Sequence, residues 1–166
     1  MAACGLTTVS FMHQEIKLVL RQSSYAVRMA QPRDSDRIAE LAEQLGYLCT
    51  GKEVRERLCQ MQDANQYAVF VAELPTGQIA GWIGLYVFRA VEMETVAEIS
   101  GLIVDEDIRS CGLGKMLLDA ADEWARRVGC RVMSVRSNVK RDRAHQFYTN
   151  NGYEHVKTQK ELRKKV

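Results

Sequence analysis

The sequence is poor in the features that mark linkers, secretion signals and membrane spans. Two prolines in 166 residues leave little room for extended linkers, so a single domain is expected. No stretch approaches the roughly 18 uncharged apolar residues of a membrane-spanning helix. The first residues also lack the continuous apolar run of a secretory signal. We therefore expect a soluble, globular chain with no membrane partner.

The cysteines do not form a disulfide or metal-binding pattern. Their number is odd, and neither a C-x-x-C motif nor a histidine at metal-ligand spacing accompanies them. The five residues are Cys4, Cys49, Cys59, Cys111 and Cys130. Free thiols are expected, which favours a reducing cytoplasm as the compartment, and no metal site is predicted.

Neither sign of charge is in large excess. The chain has 23 basic and 21 acidic residues, a net charge of +2, which is too balanced to favour nucleic acid as the main partner. Two local basic clusters stand out. Lys140, Arg141 and Arg143 are candidates to meet a phosphate, whereas the basic stretch 157–165 is expected to be a solvated end.

Hydrophobic periodicity predicts one domain over residues 25–166, preceded by an extension at 1–24 that can form a short helix. Strands are predicted at 25–29, 67–74, 78–88, 95–104, 131–137 and from Tyr153 onward. Helices are predicted from Asp34 to the stop at Gly46, from the capping box at Thr50 and Glu53, at 112–128 and at 144–150. A hairpin followed by a strand–helix–strand crossover predicts an α+β fold with a mixed sheet and helices on its faces.

The most informative segment runs from Arg109 to Lys115 and joins a predicted strand to a long amphipathic helix. Its glycines allow the backbone to approach an anion, and the helix that follows directs unpaired N–H groups toward it. The G-x-x-x-x-G-K-S/T phosphate loop does not fit, because Arg109 replaces its first glycine and Met116 its hydroxyl residue. The G-x-G-x-x-G pattern fails at Leu117. A pyrophosphate bound without Mg²⁺ is predicted.

This loop pattern, R-x-x-G-x-G-K, resembles the acetyl-CoA loop of the GNAT acyl-CoA N-acetyltransferases. The segment 97–105 resembles the central strand of that family and its exit, and the segment 138–153 resembles the family's N-x(4-5)-A-x-x-F-Y-x-x-x-G-F/Y block. The corner 44–47 and the strand bearing Glu98 are most similar to the aminoglycoside 6'-N-acetyltransferase-like branch. The resemblance implies a mixed, mostly antiparallel sheet of six to seven strands with helices on both faces.

The resemblance also implies acetyl-CoA as cosubstrate and a set of residues that bind it. The strand edge at Leu102, Ile103 and Val104 is expected to pair with the pantetheine amides. Main-chain amides of the loop are expected to bind the pyrophosphate, with Arg109 and Lys115 adding charge. The loop residues are Arg109, Ser110, Cys111, Gly112, Leu113, Gly114 and Lys115, and further contacts are expected from Asn138 and Arg143. Asn138 has an alternative role in turn formation.

Two residues are candidates for proton transfer. Tyr148 resembles the family's tyrosine that protonates the departing thiolate, although it can also be a packed aromatic. Glu98 is the candidate base, with a structural ion pair or a water relay as the alternatives. His145 is interpreted as non-catalytic. Cys111 belongs to the phosphate loop, so direct transfer in a ternary complex is predicted.

The predicted function is acetyl transfer to a primary amine, with a small cationic amine as the favoured acceptor. A peptide or protein N-terminus is an alternative acceptor. A catalytically silent CoA-binding regulatory module is the alternative of a different class. Many members of the family are dimers, so a homodimer is a possible assembly, although no interface stripe is evident in the sequence.

Overall fold

The computed structural model describes residues 25–61 and 63–166. The extension predicted at 1–24 lies outside the described residues. Within them, no helix is long and apolar enough to cross a membrane. The four cysteines of the described part, Cys49, Cys59, Cys111 and Cys130, are free thiols, as predicted.

The core element is a mixed sheet of five strands in the order β1-β2-β3-β4-β5. The strands are β1 Ala26–Met29, β2 Tyr67–Glu73, β3 Ile79–Phe88, β4 Val96–Val104 and β5 Val132–Val135. Neighbours pair antiparallel except β4 and β5, which pair parallel across the predicted crossover. The α+β class and the mostly antiparallel sheet are therefore confirmed.

The strand predicted from Tyr153 onward is wrong, so the described residues form five strands instead of six to seven. The segment after Tyr153 carries few apolar residues, and Val156 and Leu162 are both exposed. A strand needs a face to bury as well as an edge to pair with. This tail has no such face.

Four helices cover the sheet, each near its predicted position. They are α1 Ser35–Gln44, α2 Gly51–Gln60, α3 Leu113–Arg127 and α4 Asp142–Asn150. A short 3-10 turn, Pro32–Asp34, precedes α1. At the start of α2 the predicted capping box is present: the Glu53 N–H donates to Thr50 Oγ1, and the Glu53 carboxylate accepts from the Thr50 N–H at 2.7 Å.

The helices pack on opposite faces of the sheet. Under α3, a core cluster includes Ala97, Ile99, Leu117 and Trp124. On the other face, α1 and α2 pack on Val71, Ile79 and Ile103. This two-sided packing confirms the predicted layers and leaves the ends of the strands to form the site.

Strand β4 contains a bulge opposite the junction of Gly84 and Leu85, which leaves Ser100 without a partner in β3. Next to it, a Cβ on Gly101 would lie 2.8 Å from the Trp82 ring. The glycine predicted to mark a bulge or a close approach therefore marks both.

Candidate active site

The loop between β4 and α3 has the backbone of an anion-binding turn. Ser110 has φ +70° and is the one non-glycine residue with positive φ in the described part of the chain. Gly112 has φ +84°. Left-handed residues that alternate with ordinary ones turn successive N–H groups toward one concave side. The strained conformation of Ser110 costs on the order of 1–3 kcal/mol, which is typical of functional loops.

The first turn of α3 is open toward this loop. Gly112 is the N-cap residue and has no side chain to accept a hydrogen bond, and the first helical bond runs from the Met116 N–H to the Gly112 carbonyl at 3.1 Å. The N–H groups of residues 113–115 therefore have no helical acceptor. No acidic residue occupies this turn, so the positive end of the helix dipole is uncompensated.

Two cations predicted to assist the loop are engaged elsewhere. The Arg109 Nε donates to the Val104 carbonyl at 3.0 Å, which folds the guanidinium against the end of β4. Lys115 pairs with Asp119 on the exposed face of α3. An exposed i,i+4 pair contributes only about 0.3–0.5 kcal/mol, so Lys115 can exchange this carboxylate for a phosphate.

The edge of β4 is open where the pantetheine contact is predicted. Strand β5 pairs with β4 only from Val96 to Ile99, and beyond Ile99 the two strands diverge. The Asp105 N–H donates to the Ala80 carbonyl of the neighbouring segment. Backbone groups alternate sides along an antiparallel pair, so those of Ile103 face β3, whereas those of Leu102 and Val104 face the opening.

Tyr148 lies on α4, close to the loop. It is 9% exposed, and its ring contacts Phe147 and Tyr153 edge-on at centroid distances of 5.4 and 5.2 Å. Phe147 in turn packs on the start of α3, because a Cβ on Gly114 would lie 3.1 Å from its ring. Burial raises the pKa of Tyr148 to about 12. The hydroxyl therefore stays protonated at neutral pH.

Asn138 and Arg143 lie at the rim of this region, and both are exposed. The Asn138 Oδ1 accepts from the Lys140 N–H at 3.0 Å, and its carbonyl accepts from the Arg141 N–H. These bonds are the turn chemistry that the sequence offered as the alternative for this residue.

Glu98 is buried in an ion pair. Its carboxylate accepts from the Arg136 Nε at 2.5 Å and from the Ser134 hydroxyl at 3.5 Å. The same guanidinium donates from Nη2 to the Tyr86 hydroxyl at 3.0 Å. Burial, followed by the charge of Glu98, raises the pKa of Tyr86. Sequence reasoning missed Arg136 and Tyr86, although period-two alternation in the predicted strand 131–137 puts Ser134 and Arg136 on one face.

Arg141, one of the three basic residues predicted to meet a phosphate, connects distant parts of the chain instead. The Arg141 Nη2 donates to the Leu45 carbonyl at 2.7 Å, at the carboxyl end of α1. A cation in this position also compensates the negative end of the helix dipole. The corner after α1 is fixed further by Gln44, which donates to the Asp105 carboxylate and accepts from the Glu106 N–H.

Comparison with known proteins identifies relatives of this chain. The model of the family described as Acetyltransferase (GNAT) matches residues 36–153. The aminoalkylphosphonate N-acetyltransferase of Salmonella typhimurium is 35% identical over 81 residues, which cover 48% of this chain and 53% of the relative. The aminoglycoside N(6')-acetyltransferase type 1 of Stenotrophomonas maltophilia is 29% identical over 137 residues, which cover 80% of this chain and 88% of the relative.

A solved structure has the same fold. The aminoglycoside N-acetyltransferase AAC(6')-Iy in complex with CoA superposes with a TM-score of 0.76 at 19% identity, covering 87% of this chain and 97% of that one. Similarity at this identity supports the fold alone. The likeness to the aminoglycoside 6'-N-acetyltransferases that the sequence suggested is confirmed by the Stenotrophomonas relative.

The extent of these matches decides how much they establish. The chain spans about half the length of the Salmonella relative. The family match is more extensive, because it runs from the start of α1 to Tyr153 and includes the loop, the diverging strands and α4. The protein therefore belongs to the GNAT family of acetyltransferases.

Proposed function

We propose that the protein transfers the acetyl group of acetyl-CoA to a primary amine by direct transfer in a ternary complex. One observation carries this proposal: the anion-binding loop at the start of α3 adjoins the open edge of β4. Family membership supports the same reaction, and the named relatives are N-acetyltransferases by name. A small molecule is the proposed acceptor, and the reducing cytoplasm is the proposed compartment.

The residues present fit a pantetheine diphosphate. The N–H groups of residues 110–115 would bind its diphosphate without a metal, as anions bind at helix N-termini. Leu102 and Val104 would pair with the amides of its arm, because their own backbone groups face the opening. The Val104 carbonyl already accepts from the Arg109 Nε and would use its second lone pair. Lys115, Arg143 and Asn138 are exposed and would supply peripheral contacts.

Acetyl-CoA supplies an acyl thioester, which is already activated toward amines. Tyr148 would stabilise the departing sulfur as a hydrogen-bond donor. Complete proton transfer from a phenol of pKa about 12 to a thiolate whose conjugate acid has a pKa of about 8.5 is uphill by roughly 5 kcal/mol. Its contribution is therefore a charge-assisted hydrogen bond, and the final proton comes from solvent.

Glu98 would take part on the amine side. The carboxylate faces the side of the sheet opposite α3. Glu98 pairs with Ser134, one residue before Ile99 and Val135, which form the last pair before β4 and β5 diverge. Glu98, or a water molecule that it orients, would accept the proton of the amine.

Two measurements test this function. Titration calorimetry with ligand-stripped protein should show binding of CoA in the absence of divalent cations. Release of the CoA thiol should accompany acetylation when acetyl-CoA and a panel of primary amines are supplied. No heat of binding at millimolar CoA would overturn the proposal. Binding without thiol release for any amine would support the silent regulatory module instead.

A further inference from the structure

A row of polar side chains crosses three strands on the face of the sheet that also carries α1 and α2. Tyr86 of β3, Glu98 of β4 and Ser134 of β5 are direct neighbours in the strand register. Arg136 follows Ser134 by two residues and so reaches the same face, where it binds Glu98 and Tyr86. The residues on either side of Glu98 in β4 point into the core beneath α3. We call these four residues the polar row.

The polar row presents a cation rather than an anion to solvent. The side chain of Glu98 is 7% exposed and its charge is already balanced by Arg136, whose side chain is 67% exposed. A guanidinium has five N–H donors. In the described part of the chain, two of these donors are used, one on Glu98 and one on Tyr86. The remaining donors are available to an oxyanion.

A second guanidinium comes from the same connection. Arg141 lies five positions after Arg136 and reaches the carboxyl end of α1, on the same side of the sheet as the polar row. Both arginines come from the connection between β5 and α4, and the Arg141 guanidinium donates to a main-chain carbonyl. Unlike an ammonium, a planar guanidinium can bind a phosphonate or a carboxylate through two parallel hydrogen bonds.

We propose that the amine acceptor carries an anionic group, a phosphonate or a carboxylate, and that Arg136 binds this group. The proposal rests on the acetyl transfer proposed above, and it narrows the acceptor from the small cationic amine predicted from the sequence to an amine with an anionic end. Glu98 is then a positioning residue for the guanidinium as well as a candidate base. A doubly cationic acceptor would be disfavoured, because the exposed group of the polar row is the Arg136 guanidinium, whereas its carboxylate, Glu98, is buried and paired.

Acceptors of similar size that differ in charge test the proposal. Thiol release would be measured with 2-aminoethylphosphonate, β-alanine, ethanolamine and 1,3-diaminopropane. We expect kcat/KM for at least one anionic acceptor to exceed that for ethanolamine by about 10-fold or more, mainly through a lower KM. The comparison of the first two acceptors distinguishes phosphonate from carboxylate. Equal or faster reaction of ethanolamine or the diamine would overturn the anion site and leave acetyl transfer intact.

Variants of Arg136 connect the preference to this residue. Arg136→Gln should lower kcat/KM for the preferred anionic acceptor about 10- to 100-fold more than it lowers kcat/KM for ethanolamine. Arg136→Lys should restore part of the difference in kcat/KM between the two acceptors. Lysine keeps the positive charge but lacks the planar guanidinium that can form two parallel hydrogen bonds. Arg126→Gln is the matched control, since Arg126 is an exposed arginine of α3 with a long, 3.9 Å pair to Asp122. Equal losses for the two acceptors would contradict the proposal.

A binding measurement covers the case in which a variant misfolds or no turnover is found. Arg136→Gln leaves Glu98 buried without its counter-ion, so the double variant Glu98→Gln/Arg136→Gln removes both charges together. Calorimetry with 2-aminoethylphosphonate and β-alanine at saturating CoA should show binding to the wild type and at least about 10-fold weaker binding to the double variant. Failure of both compounds to bind folded wild type, or equal binding to the double variant, would overturn the anion site whatever the outcome of the thiol assay.

Discussion

The two ends of β4 differ in the groups that they offer to a ligand. At the end that leads into the loop, the groups are main-chain amides and carbonyls of Leu102, Val104 and residues 110–115. Near the start of the strand, the groups are side chains of the polar row, led by Glu98 of β4 and by Arg136, which follows β5. After the roles proposed above, we call these regions the cofactor end and the acceptor end. A shared cosubstrate can be bound by backbone, whereas a particular amine must be selected by side chains.

This difference explains why the cofactor end can be predicted from the sequence more readily than the acceptor end. Backbone sites require residues that permit a given φ and a close approach, and glycines at fixed spacing show that requirement directly. Side-chain sites can be built from many residue types on several strands. Experiments that measure CoA binding and catalysis separately therefore test the roles proposed for the two ends most directly.

The largest effect is expected from Tyr148→Phe, which removes the one side-chain hydroxyl that is proposed to act at the otherwise backbone-built cofactor end. We expect kcat to fall about 100-fold, as when one hydrogen-bond donor to a developing negative charge is removed, because the departing thiolate loses this donor. Calorimetry should show CoA affinity within about 3-fold of the wild type, since the diphosphate is proposed to be bound by main-chain amides and not by the Tyr148 hydroxyl.

The matched control is Tyr153→Phe. The Tyr153 ring contacts Tyr148 edge-on, and its hydroxyl is buried without a hydrogen-bond partner in the described residues. Removal of this hydroxyl should leave kcat close to the wild-type value. Equal losses in the two variants would assign Tyr148 to packing alone.

The next effect tests the backbone character of the loop. Gly112→Val places a β-branched residue at φ +84°, where left-handed backbone costs a side-chain residue at least about 1–2 kcal/mol. We expect CoA affinity in calorimetry to fall about 10- to 100-fold as the N–H groups lose their alignment.

Gly129→Val provides the same strain at the other end of α3. Gly129 has φ +83°, and an added Cβ at either glycine would have no atom within 4 Å. This control should lose similar stability in urea unfolding and retain CoA affinity. If it lost as much affinity as Gly112→Val, the effect would be one of global stability.

The smallest effect concerns Asp105, which directly follows β4 and anchors α1 through Arg37 and Gln44. Its carboxylate accepts from Arg37, from Gln44 and from the Asp107 N–H. Burial alone raises the pKa of Asp105, but these partners outweigh it, and the net pKa is lowered from 3.8. The stabilisation is thus complete above pH 3.8 and is lost as the pH falls through the lower folded-state pKa.

Asp105→Asn should therefore lower the free energy of unfolding by about 2 kcal/mol at neutral pH. The gap from wild type should close as the pH falls from roughly 5 to 2, as measured by urea unfolding. Glu106→Gln, at the exposed adjacent position, should change little at any pH. A gap that is unchanged at acidic pH would show that the charge of Asp105 is not its source.

Local patterns predicted most of the fold and the conformation of the loop before α3. The capping box at Thr50, the hairpin and the loop glycines are each decided within a few residues, so the sequence shows them. The pairs Arg136–Glu98 and Arg141–Leu45 depend on which strands become neighbours, and their partners lie 38 and 96 positions apart. The strand predicted from Tyr153 failed because alternation alone does not supply a buried face.

The unpaired Ser100 inverts the side-chain alternation of β4. Before it, odd-numbered Ile99 points beneath α3, and after it, odd-numbered Ile103 points to α1. Glu98 and Ile103 therefore share one face of the sheet although they are five positions apart. Deletion of this single residue would turn one half of the strand over relative to the other and exchange inner for outer side chains along that half. An insertion or deletion between Glu98 and Ile103 would therefore disrupt one of the two regions, because it would change the spacing of five that keeps these residues on one face.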